Sequence, residues 1–127
     1  MLTKFTSAPT IAVNDIARAR AFYEGTLGFV AAKEGAGGVV YSAGTGTFFV
    51  YPSEFAGTNK ATAMSFEVPL DAFDAEVAGL RATGLTFQSF EAPGMVWVDG
   101  VATMGDMRAL WFADPDGNII SVTTPVA

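Results

Sequence analysis

The sequence predicts an α+β fold, with two tandem βαβββ modules forming a curved mixed sheet around a trough and helices on the outer face. Three observations predict it. Short strand patterns are interrupted by two amphipathic helical stripes, and each stripe ends at a glycine. The order strand, helix, several strands occurs twice, with a period of about 55 residues. Each half alone would leave one face of its sheet open, whereas two halves together bury the helix-facing sides and share a trough on the other. The 127 residues suit one domain, and the 50% apolar content supplies a core. The expected division is module one over about residues 5–52, a connector over 53–61 and module two over about 62–124.

The first strand is Thr10-Ile11-Ala12-Val13, in which Ile11 and Val13 alternate with smaller residues. Asn14 or Asp15 caps a helix whose apolar stripe is Ile16, Ala19, Tyr23 and Leu27, and Gly28 supplies the left-handed stop. Strands follow over Phe29 to Lys33, Val39 to Ser42 and Thr47 to Tyr51, separated by glycine-rich turns. Pro52 to Lys60 has no periodicity and reads as the connector. A strand over Ala63 to Val68 opens the second half. Leu70, Phe73, Val77 and Leu80 then form a helical stripe that ends at Gly84. Further strands are expected over Leu85 to Phe90, Met95 to Val98, Met107 to Ala113 and Asn118 to Thr123, with a marked turn at Asp114-Pro115-Asp116-Gly117.

Composition removes whole classes of function. Seven basic against thirteen acidic side chains give a net charge of −6, which disfavours nucleic acid and anionic membranes as partners. The chain has no cysteine and no histidine, so thiolate metal sites, cysteine nucleophiles, serine–histidine triads and histidine-ligated metals are ruled out within it. Runs such as Phe48-Phe49-Val50-Tyr51 fall far short of the ~20 residues that span a bilayer. With no targeting pattern at the N-terminus, a cytoplasmic protein is expected.

The run Val13-Asn14-Asp15-Ile16-Ala17-Arg18-Ala19-Arg20-Ala21-Phe22-Tyr23-Glu24-Gly25-Thr26-Leu27-Gly28-Phe29 resembles the first-module signature of the vicinal oxygen chelate superfamily, the glyoxalase, bleomycin-resistance and extradiol dioxygenase group. Trp111-Phe112-Ala113-Asp114-Pro115-Asp116-Gly117-Asn118-Ile119-Ile120 resembles its last-strand signature, and Phe66-Glu67-Val68 before an amphipathic helix fits its second-module opening. In metal-dependent members each module contributes two ligands, histidine or glutamate, facing the trough. The resemblance carries these positions onto Ala8, Tyr51 (or Val50), Ala63 and Ser121. None is histidine or a carboxylate, so a branch without the metal ligands, and no cofactor, is expected. The resemblance also implies a homodimer.

Strand parity assigns the trough lining. It gives Thr10, Ser65, Glu67, Met107, Trp111 and Ser121 as candidate ligand-binding residues; the resemblance adds Tyr51, and Met95 and Trp97 are added as lid or wall residues of the segment Glu91 to Arg108. Small and hydroxylated side chains leave volume, and the aromatic and thioether groups give broad apolar contact. The expected function is a metal-free small-molecule binding protein that sequesters an apolar or aromatic compound, such as an antibiotic; the acidic balance suits a cationic one. The alternative is a superfamily enzyme, of lyase, isomerase or dioxygenase type, that uses Glu67 as a base. Parity puts Glu67 on the trough face of a strand expected to be central, where desolvation would raise its pKa. No other catalytic residue stands out. Asp106 and Arg108 are expected to form an exposed ion pair, and Asp114 and Asp116 to serve the turn rather than a cation.

Overall fold

In the computed structural model, which describes residues 1–35 and 37–125, the chain divides into two units, Met1–Asn59 and Lys60–Ala127. The fold is α+β, with one sheet of four strands and one of five.

In the first unit a 3-10 turn at Leu2–Lys4 precedes β1 (Thr10–Val13). The Asp15 carboxylate accepts from the backbone N–H groups of Ala17 (2.9 Å) and Arg18 (3.2 Å), which starts α1 (Ile16–Arg20). The expected continuous α-helix is not found. After Arg20 the backbone widens into a π-helical segment over Ala21–Thr26, in which the Leu27 N–H reaches back five residues to the Phe22 carbonyl at 2.9 Å. The widening accompanies a tight aromatic contact: Tyr23 is fully buried, with ring centroids 5.6 Å from Phe48 and 5.9 Å from Tyr41. Gly28, at φ 82°, ends the segment, as Gly84, at φ 85°, ends the second helix. Strands β2 (Ala31–Gly35), β3 (Gly38–Ala43) and β4 (Gly46–Pro52) complete a sheet of order β1-β4-β3-β2, with β1 parallel to β4 and the other pairs antiparallel. Ile11, Val13, Val39, Tyr41, Phe48 and Val50 are buried on the face that α1 and its extension cover.

The edge of that core is polar. The Tyr41 hydroxyl donates to Glu24 Oε2 at 2.9 Å, and Arg20 Nε donates to the same oxygen at 2.6 Å. Arg20 also pairs with Glu34. The Arg20 guanidinium, then the Tyr41 hydroxyl, hold the Glu24 carboxyl below the usual glutamate value. Burial, then the Glu24 carboxylate, push the Tyr41 phenol above its ordinary range. Because folded Glu24 takes up a proton less readily than unfolded Glu24, its contribution to stability is complete above the ordinary glutamate value and is lost as pH falls through its lowered value. Melting temperatures of the native chain and Glu24→Gln, taken from about pH 6 to about pH 3, should therefore converge on acidification. A gap that stays constant across that range contradicts the pairing.

In the second unit β5 (Thr62–Glu67) leads to α2 (Leu70–Ala82), followed by β6 (Val96–Val98), β7 (Val101–Met104), β8 (Met107–Ala113) and β9 (Ile119–Thr123). The sheet order is β5-β9-β8-β7-β6, with β5 parallel to β9. Two expectations fail here. Leu85 to Phe90 forms no strand and contributes only an isolated bridge from Gln88 to Trp111. Residues 101–104 form a strand the sequence pattern did not reveal, because Asp99-Gly100 turns β6 back as a tight hairpin and β7 pairs with β8. Met64, Leu110, Phe112, Ile120 and Val122 are buried on one face, and Phe73 and Val77 of α2 are buried with them. Arg108 belongs to this face. It lies 4.8 Å over the Phe73 ring and bonds Asp74 at 2.6 Å, so its partner is Asp74 and not the expected Asp106.

Asp114 and Asn118 lock the turn between β8 and β9. Asp114 Oδ1 accepts from the backbone N–H groups of Asp116 (2.9 Å) and Asn118 (2.8 Å), and Asn118 Nδ2 donates to Asp114 Oδ2 at 2.8 Å. The turn role expected for Asp114 thus has a specific geometry. Among the described residues no helix is long and apolar enough to cross a membrane.

Candidate functional site

Residues paired across a sheet share a face, so register shows which side chains of the second unit stand together. One row crosses the sheet from Gln88 through Trp111 and Ser121 to Ser65. The next runs from Trp97 through Ala102, Ala109 and Thr123 to Glu67. Met107 pairs with Met104 one step further along the same face. Six sequence candidates (Ser65, Glu67, Trp97, Met107, Trp111 and Ser121) therefore lie on the face opposite Leu110 and Phe112. Met95 sits just before β6, half-buried in a turn in which its N–H donates to the Ala92 carbonyl at 3.4 Å.

Thr10 and Tyr51 belong to the first unit. Thr10 pairs with Phe49 and Ala12 with Tyr51, which puts all four on the face opposite the aromatic core. This settles the register of β4: Val50 is fully buried on the core side, and Tyr51 lies on the other, its ring parallel to that of Phe49 at 5.9 Å. The Thr10 hydroxyl donates to the Ala8 carbonyl at 3.2 Å.

Three aromatic rings dominate the open face of the second sheet. Trp97 and Trp111 are 5.7 Å apart, and Phe90 meets both edge-on, at 5.3 Å from Trp97 and 4.8 Å from Trp111. Beside them is a cleft of about 360 Å³ between the start of β5 and the 88–90 segment, lined by Lys60, Thr62, Gln88, Phe90, Trp111 and Ile119 among others. Sequence reasoning singled out Trp111 but missed Lys60, Gln88 and Phe90. Their positions depend on the long-range pairing of Gln88 with Trp111, which no local periodicity reveals.

Glu67 occupies a different setting from the one expected. Its strand β5 is the outer strand of this sheet, and the side chain is exposed at the strand's C-terminal end. It is therefore open to solvent and not enclosed in a central strand. Ser65 and Ser121 hydrogen-bond through their hydroxyls, and Ser121 is only 2% exposed.

The metal of the fold family can be tested against these side chains. Ala8 and Ala63 end in methyl groups, Tyr51 presents a ring stacked on Phe49, and the Ser121 hydroxyl is engaged by Ser65. Among the described residues no group of three or more histidine, cysteine, aspartate or glutamate side chains is placed to hold a metal ion. The donor set does not fit a divalent cation.

Solved structures share this fold. A glyoxalase/bleomycin resistance protein/dioxygenase from Alicyclobacillus acidocaldarius matches at a TM-score of 0.72 and 12% identity, over 97% of this chain and 92% of that one. The fosfomycin resistance protein FosX from Mesorhizobium loti matches at 0.65 and 15% identity, over 97% and 93%. A protein from the mobile metagenome of V. pseudocholerae is 25% identical over the full length of both chains, at a TM-score of 0.62. No curated protein matches. The family model described as Glyoxalase/Bleomycin resistance protein/Dioxygenase superfamily matches residues 6–122, and with the duplicated strand–helix–sheet pattern this places the chain in that superfamily.

Proposed function

We propose that the protein is a metal-free small-molecule binding protein that sequesters an apolar or aromatic compound. The observation that carries this reading is the Phe90–Trp97–Trp111 cluster, of which Phe90 and Trp111 line a cleft. Aromatic rings offer a planar ligand a large contact area at low conformational cost. The cleft volume lies at the lower end of the range of about 300–1,000 Å³ usual for such sites, which suits a ligand of one or two rings. Lys60, Thr62 and Gln88 add the few polar groups that fix orientation. An antibiotic is one compound of this kind, and the FosX match is a resistance protein of the same fold. The reading includes the homodimer that the family resemblance implies.

Titration with a small aromatic panel tests it. Binding should raise the melting temperature, persist after exhaustive chelation, and survive Glu67→Gln. Trp111→Ala should weaken it by about 1–3 kcal/mol, the scale of one lost aromatic contact with its apolar area. Binding that needs an added divalent ion would overturn the metal-free reading. Turnover that disappears in Glu67→Gln while binding remains would turn the assignment to an enzyme.

A further inference from the structure

The lining of the cleft beside Trp111 names its ligand more closely. It combines apolar Phe90, Trp111 and Ile119 with polar Lys60, Thr62, Gln88 and Ser89. Thirteen carboxylate side chains make the chain acidic, yet among the described residues none lines this cleft, where the charged residue is Lys60. The local sign is therefore opposite to the global one. At physiological salt a charge is screened over about 8 Å, so a ligand in the cleft responds to Lys60, which lines it, more than to carboxylates beyond that range.

The backbone holds this arrangement in place. Thr62 pairs with Ile119 at the start of the parallel β5–β9 ladder, so Lys60, two residues earlier, lies at the end of the sheet where Ile119 begins β9. The Gln88 N–H donates to the Trp111 carbonyl at 2.8 Å, which fixes the 88–90 segment and the Phe90 ring against Trp111. A compact ammonium on a flexible stem and a fixed aromatic wall thus border one space.

We propose that this cleft selects an aromatic compound bearing an anionic group, such as an arene carboxylate, with its ring against Phe90 and Trp111 and its charge beside Lys60. The proposal rests on the binding reading above and replaces the expectation, drawn from net charge, of a cationic ligand. Net charge describes the whole molecule, whereas selection is made by the groups in contact with the ligand.

Three probes of similar shape separate the possibilities: naphthalene-1-carboxylate, naphthalene-1-methanol and 1-naphthylmethylamine. Calorimetric titration of the native protein should rank them carboxylate, alcohol, amine. An exposed ion pair contributes up to about a fivefold difference between carboxylate and alcohol. Lys60→Met should remove that preference, so that carboxylate and alcohol bind alike, while leaving the melting temperature unchanged, because Lys60 is exposed. Equal binding of carboxylate and alcohol by the native protein, or a carboxylate preference that survives Lys60→Met, overturns the charge assignment and leaves the binding reading standing. If none of the three binds the native protein, the binding reading falls and this proposal with it.

Discussion

Replacing Asp114 by alanine should cost about 3 kcal/mol, a drop in Tm on the order of 10 °C. The carboxylate is only 5% exposed and receives three hydrogen bonds, two from backbone N–H groups and one from the Asn118 amide. Bonds to a charged acceptor are the stronger kind, and alanine would leave three donors facing a buried void. Asp114→Asn should be milder by about half. Its carbonyl oxygen can still take the two backbone donors, and the Asn118 amide can turn to present its own oxygen to the new amino group. Urea denaturation of the two variants checks the order. Equal losses would mean that the charge matters and the geometry of the turn does not.

How much of this was legible in the sequence depended on whether the cause was local. The strands over 10–13 and 107–113, the Asp15 cap and the two glycine stops follow from side-chain alternation and backbone conformation within a few residues, and the structure places them there. Alternation also put Ser65, Ser121 and Trp111 on one face, as the strand pairing does, since period two survives whatever the sheet packs against, but it left Val50 and Tyr51 open in β4. What failed was nonlocal. The helix is widened over Ala21–Thr26, where Tyr23 packs among Tyr41 and Phe48, residues far along the chain. Leu85 to Phe90 is strand-like in composition, but only Gln88 finds a partner. Glu67 was misjudged because alternation assigns a face without saying whether the strand is inner or outer. The cleft combines Lys60, read as connector, with Phe90, read as strand, so no single stretch of sequence contains it.

Adjacent phenylalanines in β4 should respond very differently to truncation, with Phe48→Ala costing about 3–5 kcal/mol and Phe49→Ala about 1–2. Phe48 is 1% exposed and lies within 5.0 Å of Phe29, 5.3 Å of Tyr41 and 5.6 Å of Tyr23, measured between ring centroids. Removing its ring opens a cavity that Tyr23 of the helix, Tyr41 of the sheet and Phe29, whose N–H donates to the Tyr23 carbonyl at 2.9 Å, cannot collapse to fill. Phe49 points the other way, half-buried, and its main aromatic partner is the parallel ring of Tyr51. Its loss removes contact area with solvent close by. The pair is also a test of register, because a slip of one residue in β4 would exchange the two faces. Equilibrium denaturation of both variants measures the difference. If Phe49→Ala proved the more damaging, Val50 rather than Tyr51 would belong to the open face, and the family's second ligand position in this chain would be occupied by a side chain with no donor atom.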